Sequence, residues 1–307
     1  MKKRQIGNSD LYASVVGLGC MSIGVEEESA RRIIDEAIDA GINYLDTADL
    51  YDQGLNEEFV GKAIKAKRQE LIIATKVGNR FERGKDGWSW DPSKKHIMNA
   101  VKDSLHRLQT DYIDLYQLHG GTMEDYIDEV IDAFEELKKE GIIRYYGISS
   151  IRPTVIREYV NRSSIISVMM QYSILDRRPE EQVLPLLKEN HISVLARGPV
   201  AKGFLTERSF DRSKQDLFAK GYLDYSPEEL EAVVNTLKEI CHGRSLTEIG
   251  LQYLLHHSSV ASVIAGASTT RQLRENIDAA SSSPLTEDEV AQIQQQTKSL
   301  GYQQHRL

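Results

Sequence analysis

Cysteine is almost missing from this chain: 307 residues include two, Cys20 and Cys241. They form no Cys-x-x-Cys pair and have no ligand-like neighbours, which argues against a disulfide framework and against a zinc site; no metal is expected. No apolar run approaches the length of a membrane span. Positive charge is in the minority, with 38 Lys and Arg against 46 Asp and Glu and a net charge of −8. No basic stripe with interleaved aromatics is present, so a nucleic-acid partner is not expected. Lys2-Lys3-Arg4 is basic, but no apolar segment comes after it, so it does not read as a signal peptide. These absences point to a soluble, cytoplasmic protein without a membrane or nucleic-acid partner. The hydrophobic fraction of 40% and charged fraction of 27% are globular values.

The chain is built on an alternation. Lys3 to Ile6 and Leu11 to Val15, separated by Gly7-Asn8-Ser9-Asp10, read as a hairpin over turn residues, placed to cap one end of the domain. From Val16 onward short apolar strands alternate with amphipathic helices. Strands are expected over Val16–Cys20, Asn43–Asp46, Leu71–Thr75, Tyr112–Leu118, Arg144–Ser149, Ile166–Gln171, Ile192–Ala196 and Val260–Ala265. The first helix, about Glu26 to Ala40, turns Ala30, Ile33, Ile34, Ala37 and Ile38 to one face. The second runs from about Asn56, taken as its N-cap, to Ala66. Later helices are expected at about 91–108, 123–140, 153 onward, 180–190, 227–241, 246–256, 271–280 and 286–300. Eight strand–helix units without a break in composition predict a single (β/α)8 barrel over residues 1–307, with an N-terminal hairpin and extra C-terminal helices. An open doubly wound sheet is disfavoured, because Gly17-Leu18-Gly19 lacks the spacing of a dinucleotide fingerprint.

Parallel barrels keep their chemistry at the C-terminal ends of the strands. Asp46, Lys76 and His119 stand at the ends of the second, third and fourth strands, and Tyr51 comes five residues after Asp46. Taken singly, each has an ordinary structural role: a capping acid, a half-buried phenol, a snorkelling lysine, a core histidine. Together they suit a phenol acting as general acid. Free tyrosine titrates near ~10; a neighbouring ammonium lowers that value, Asp46 holds Lys76, and His119 orients the oxygen that gains charge. None of these groups can supply a hydride, so a cofactor must.

The chain resembles the aldo-keto reductases. The stretches that carry the resemblance are Gly17-Leu18-Gly19, Asp46-Thr47-Ala48 with Tyr51, Ala74-Thr75-Lys76, Leu118-His119, Gly147-Ile148-Ser149, Gln171 to Arg177, Ile264 to Ser268, and Glu275-Asn276. Each is weak alone; their order covers most of the chain. The branch that looks nearest is the bacterial members similar to the potassium-channel β subunit. The resemblance implies NADP(H) and reversible reduction of aldehydes and ketones, with Tyr51, Lys76, Asp46 and His119 as the catalytic set. It places Gly19, Cys20, Met21 and Asp46 against the cofactor. Ser149 and Gln171 would bond the nicotinamide carboxamide, Tyr172 would stack on its ring, and Ser173, Leu175 and Arg177 would flank the pyrophosphate. Arg197, Gly198, Pro199, Ala201 and Gly203 would wrap over the dinucleotide, and Gly266, Ser268, Thr269, Gln272, Glu275 and Asn276 would hold its adenosine end.

Four positions depart from the usual pattern. Ser150 stands where Asn is common. Gly266 and Gln272 replace the Lys and Arg that bind a 2′-phosphate, leaving Arg271 or Arg274 to substitute; NADPH is still favoured and NADH is not excluded. Arg197-Gly198-Pro199-Val200 replaces a Ser-Pro-Leu run and adds a cation. Gly120-Gly121 comes after His119 where a bulkier residue is usual, which implies a roomier site or a more mobile loop. Trp88 and Trp90, in the long loop after the third strand, are candidates for a wall of the substrate pocket or for loop anchors. Two other functions fit fewer residues: a Schiff-base aldolase using Lys76, and a cofactor-binding redox sensor or auxiliary subunit with little turnover. The expected partner is a small-molecule carbonyl compound, with the chain a monomer or homo-oligomer.

Overall fold

A computed structural model describes residues 1–207 and 219–306. Eight parallel strands close into a barrel in chain order. They are β3 (Val16–Gly19), β4 (Tyr44–Asp46), β5 (Ile72–Val77), β8 (Ile113–Leu118), β9 (Ile143–Ser149), β10 (Ser167–Gln171), β11 (Ser193–Arg197) and β12 (Val260–Gly266). This is the predicted (β/α)8 architecture. Ahead of it, β1 (Lys3–Gln5) and β2 (Tyr12–Ser14) pair antiparallel. Inside the loop after β5, β6 (Asn79–Arg80) and β7 (Ser89–Trp90) form a second small hairpin, where only irregular chain is expected.

The helices are α1 (Glu27–Asp39), α2 (Leu55–Ile64), α3 (Lys94–Leu108), α4 (Ile127–Lys139), α5 (Pro153–Arg162) and α6 (Val183–Glu189). After the undescribed segment come α7 (Pro227–Ile240), α8 (Leu246–His256), α9 (Thr270–Ser281) and α10 (Glu287–Gln296). The irregular stretch expected over 201–226 lies partly outside the described residues. Three boundaries move for identifiable reasons. Asn56 is not an N-cap but sits inside α2, fully buried, accepting from the Thr47 hydroxyl at 2.7 Å and donating to the Cys20 carbonyl at 2.8 Å. The helix expected over 180–190 divides into a 3₁₀ turn and α6, because Glu180 is drawn to Tyr172 and Tyr253 at 2.9 and 2.6 Å. α10 stops at Gln296, four residues early, where Arg177 takes the carbonyls of Gln294 and Thr297.

Strand side chains alternate between two faces, and here the faces build two cores. Outward residues such as Val168, Met170 and Tyr172 join the helices in one large cluster. Inward residues Tyr44, Ile72, Ala74, Leu115, Met169, Leu195 and Ile264 pack with Ile6, Leu11 and Ala13 of the first hairpin in the other. The hairpin is therefore a plug for the N-terminal end of the barrel, as its position predicts. Gly17 makes room in this interior, since a Cβ there would meet the Tyr44 ring at 2.8 Å and Ile264 at 2.9 Å.

Near the plugged end the strands are also tied electrostatically. Asp114 of β8 is 1% exposed and accepts from the Ile73 amide at 3.0 Å, with Arg68 and Arg144 each at 2.8 Å. Removing this carboxylate leaves the Ile73 amide without its acceptor and Arg68 without a carboxylate, while Arg144 keeps Asp10. Asp114→Ala is expected to cost about 3 kcal/mol in unfolding free energy, measured by urea denaturation, while leaving ligand binding at the opposite end within about twofold.

Candidate functional site

The inward alternation continues past the apolar interior, and the next layer is polar. In β4 it runs Tyr44 to Asp46, in β5 Ala74 to Lys76, in β8 Leu115 and Gln117 to His119, and in β10 Met169 to Gln171. One pattern thus makes the core and then delivers ionisable groups at the C-terminal rim. Tyr51 enters from the loop after β4. The chain behind it turns through left-handed conformations at Asp52, Gln53 and Gly54, with φ of 48°, 52° and 89°. Such strain is held by surrounding structure; a Cβ at Gly54 would strike the Arg107 side chain at 2.8 Å.

The four predicted groups converge. Lys76 is 1% exposed; its Nζ donates to Asp46 Oδ2 and to the Thr47 carbonyl, both at 2.7 Å, and to the Tyr51 hydroxyl at 3.3 Å. The ammonium also lies 4.9 Å from the centre of the Tyr51 ring. The rings of Tyr51 and His119 meet edge to face at 5.8 Å.

Burial sets the ionisation of this cluster. It raises the Asp46 carboxyl, opposed by Lys76. It would lower Lys76, but Asp46 and Tyr51 overcome it, so the lysine is raised and stays an ammonium. Burial likewise raises the Tyr51 phenol, and the lowering by Lys76 does not offset it. The expected downward shift of Tyr51 is therefore reversed in net direction, and the phenol holds its proton at neutral pH. Burial first, then Lys76 and Arg197, push His119 down to about 3, so its imidazole is neutral and free to act as a hydrogen-bonding group.

These groups stand at one end of a cavity of about 1170 Å³, which is lined by Asp46, Tyr51 and His119. Of the residues predicted to contact a cofactor, Gly19, Met21, Ser149, Gln171, Arg197, Gly198, Pro199, Gly203 and Gly266 also line it. A Cβ at Gly266 would meet Ser22 Oγ at 2.4 Å, so a side chain there would displace the Ser22 hydroxyl. Asp46 Oδ1 is buried and has no hydrogen-bond partner among the described residues. Gln171 is held by the Asp176 carboxylate at 2.8 Å and the Tyr222 hydroxyl at 3.1 Å, both accepting from its Nε2.

Several predicted contacts fall elsewhere. Tyr172 comes directly after the inward Gln171 and so points outward; its hydroxyl donates to Glu180 at 2.9 Å and its ring packs on His257. It cannot stack on a ligand in the cavity. Ser173 and Leu175 are fully buried, and Leu175 belongs to the outer core. Arg177 turns into the protein, with Glu180 at 2.8 Å and the Thr297 hydroxyl at 3.0 Å. Its neighbour Arg178 lines the cavity instead, paired with both Asp176 oxygens at 2.7 Å and set 5.0 Å over the Tyr302 ring. Cys20 and Ala201 are buried behind the cavity wall. Thr269 caps α9 by accepting from the Gln272 amide at 3.2 Å, Gln272 accepts from the Ser268 amide at 2.8 Å, and Asn276 donates to the Gly266 carbonyl at 3.2 Å. These residues and Glu275 lie just beyond Gly266 in the chain rather than on the cavity surface. Trp88 is 61% exposed and forms no wall. Trp90 is the anchor of its loop, donating to Asp125 at 2.9 Å and covering Gly78 and Gly120.

Sequence reasoning did not foresee Arg152, the turn at Tyr222–Asp224, or the tail from Leu300 to His305, all of which line the cavity. The doublet Arg177-Arg178 was the one available signal for Arg178; no pattern marks the tail.

Residues 15–298 match the Aldo/keto reductase family, and the chain belongs to that family, an oxidoreductase class that uses nicotinamide cofactors. It is 61% identical over 306 residues to the uncharacterized oxidoreductase YqkF of Bacillus subtilis (strain 168), covering 100% of both chains. The structure matches the holo form of aldo-keto reductase AKR11C1 from Bacillus halodurans with a TM-score of 0.95 and 60% identity, again over 100% of both. The NADH-specific methylglyoxal reductase of Escherichia coli (strain K12) is 31% identical over 304 residues, 91% of this chain and 93% of that one. Among the described residues no helix is long and apolar enough to cross a membrane, and no cluster suited to a metal ion is found.

The shift at His119 has a measurable consequence. Its folded pKa lies below its unfolded one, so in the unfolded chain it binds a proton first as pH falls. Stability is lost between roughly pH 6.5 and about 3. His119→Asn is expected to flatten the acid limb of the stability curve by up to ~1.4 kcal/mol per pH unit, read by urea denaturation at pH 6, 5 and 4.

Proposed function

We propose that the chain reduces aldehydes and ketones to alcohols with NADPH, Tyr51 serving as the proton donor. The observation that carries this reading is the short, buried array of Asp46, Lys76, Tyr51 and His119 at the end of a cavity large enough for a dinucleotide. The bound cofactor supplies the hydride that the protein lacks. The protein supplies the rest. His119, neutral, donates a hydrogen bond to the carbonyl oxygen and fixes its direction. Tyr51, protonated, gives that oxygen its proton as negative charge develops. Lys76 stabilises the phenolate that is left, and Asp46 keeps the ammonium in place. Gln171, braced by Asp176 and Tyr222, and Ser149 are suited to the carboxamide of the nicotinamide. Gly198, Gly203 and Gly266 let backbone approach the dinucleotide.

The 2′-phosphate falls to Arg271 in this reading. Arg274 is committed to Glu36 of α1, whereas Arg271 has Glu275 at only 3.9 Å and is 69% exposed, leaving its fork able to engage a phosphate. The Schiff-base alternative is weakened by Lys76 itself. An amine must be neutral to attack a carbonyl, and Asp46 with Tyr51 keeps this one charged.

Tyr51→Phe is expected to lower kcat for aldehyde reduction by about 10³-fold, with NADPH affinity within about threefold of the wild type. Consumption of NADPH and quenching of tryptophan fluorescence read the two quantities separately. Loss of NADPH binding by the wild type, or full activity in the variant, would refute the assignment.

A further inference from the structure

The cavity holds more positive charge than the four-residue cluster uses. Arg152, Arg178, Arg197 and Lys202 line it, against the carboxylates of Asp46 and Asp224. Asp46 is committed to Lys76, and Arg178 to Asp176. Among the described residues, Arg152, Arg197 and Lys202 have no carboxylate within salt-bridge distance; Arg152 bonds the Gly121 carbonyl and Arg197 the Gln171 amide oxygen. Arg197 and Lys202 stand on the segment from β11 that carries Gly198 and Gly203, which suits the phosphates of a dinucleotide.

Arg152 stands apart from that segment. It lies just past β9, the strand that pairs with β8 and so neighbours His119. Its Nη1 donates to the carbonyl of Gly121, two residues beyond His119. Successive Cα spacing keeps Gly121 within ~7.6 Å of His119, so the guanidinium is pinned close to the reacting end. The root of the side chain is fixed as well, because the Arg152 amide donates to Ser150 Oγ at 3.2 Å. Beside it runs the C-terminal tail, with the His305 carbonyl accepting from the Thr154 amide at 3.1 Å. Glu124 is an acid within electrostatic reach of Arg152. It is exposed and feels Arg152 only after its own backbone amide, Thr122 and His305, and it makes no ion pair with the arginine.

A guanidinium has five N–H donors. One is spent on Gly121, and Arg152 lines the same cavity as Tyr51 and His119. We infer that the preferred carbonyl substrate carries a carboxylate, bound by Arg152 while the carbonyl lies at Tyr51 and His119. The inference rests on the carbonyl-reductase reading and narrows its substrate class. The planar fork of a guanidinium matches the two coplanar oxygens of a carboxylate.

Two aldehydes of nearly the same size test it: 4-carboxybenzaldehyde and its neutral methyl ester, methyl 4-formylbenzoate. The wild type is expected to favour the acid in kcat/KM by about tenfold or more, chiefly through KM and less so as salt is added. In Arg152→Met the acid should lose about tenfold while the ester stays within about twofold, and Arg152→Lys should recover part of the loss. A wild type without preference for the acid overturns the inference. So does a variant in which both substrates decline together, since that is the signature of a brace for the Gly120-Gly121 loop. Turnover of the ester alone overturns the inference and keeps the reductase reading; turnover of neither compound nor of any simple aldehyde overturns both.

Discussion

A lysine and an aspartate sealed inside a barrel constrain everything around them. Lys76 and Asp46 are 1% and 4% exposed, and ions in such a place are costly unless each is paired and bonded. The pair at 2.7 Å, with the Thr47 carbonyl and the Tyr51 hydroxyl, leaves the ammonium no donor without a use. That is why Tyr51 must be brought in by a strained turn and why the strands must hold register: Asp46 aligns with Ala74, and Lys76 with Gln117. A slip of one residue would send Lys76 outward among the helices. The site and the barrel are in this sense one construction, with the cluster as its polar top layer.

The ionisation states depend on the same pair. A buried ammonium beside His119 works with burial to keep the imidazole neutral, so the site has one cation, one carboxylate and two uncharged hydrogen-bonding groups. Burial outweighs the ammonium at Tyr51 and leaves the phenol protonated. In the reaction we propose, where Tyr51 gives a proton to the carbonyl oxygen, that is the useful state. The sequence suggested a phenol tuned downward; the fold instead keeps the Tyr51 phenol protonated, with the Lys76 ammonium 3.3 Å from its hydroxyl.

Much of this could be read from the chain. The eight strand–helix units, the plug hairpin and the convergence of Asp46, Tyr51, Lys76 and His119 all come from period and position. Tyr172 is instructive because the information was present and misapplied. Given Gln171 inward, strict alternation sends Tyr172 outward, and it packs on His257. Resemblance placed it on the cofactor; the two-residue period contradicts that. Asn56 failed for another reason. Its residue type suits a cap, but two buried partners, Thr47 and Cys20, claimed it, and no local rule sees partners nine and thirty-six residues away.

The loops and the tail were the illegible part, and their physics explains it. Arg177 and Arg178 are adjacent cations with opposite fates, decided by Glu180 and Thr297 on one side and by Asp176 and Tyr302 on the other. Nothing in a doublet announces which will turn inward. The tail has no apolar period, yet Tyr302 is 7% exposed and Arg306 reaches Glu181, so its course is set by scattered polar and aromatic contacts. Asp46, Lys76 and His119 are thus delivered by periodic strands and are readable, and Tyr51 follows Asp46 at short range, whereas Arg178 and the tail sit on aperiodic segments whose positions depend on distant partners. The barrel therefore announces its family in sequence, whereas the grouping of Arg152, Arg178 and the tail around one cavity emerges only from the fold.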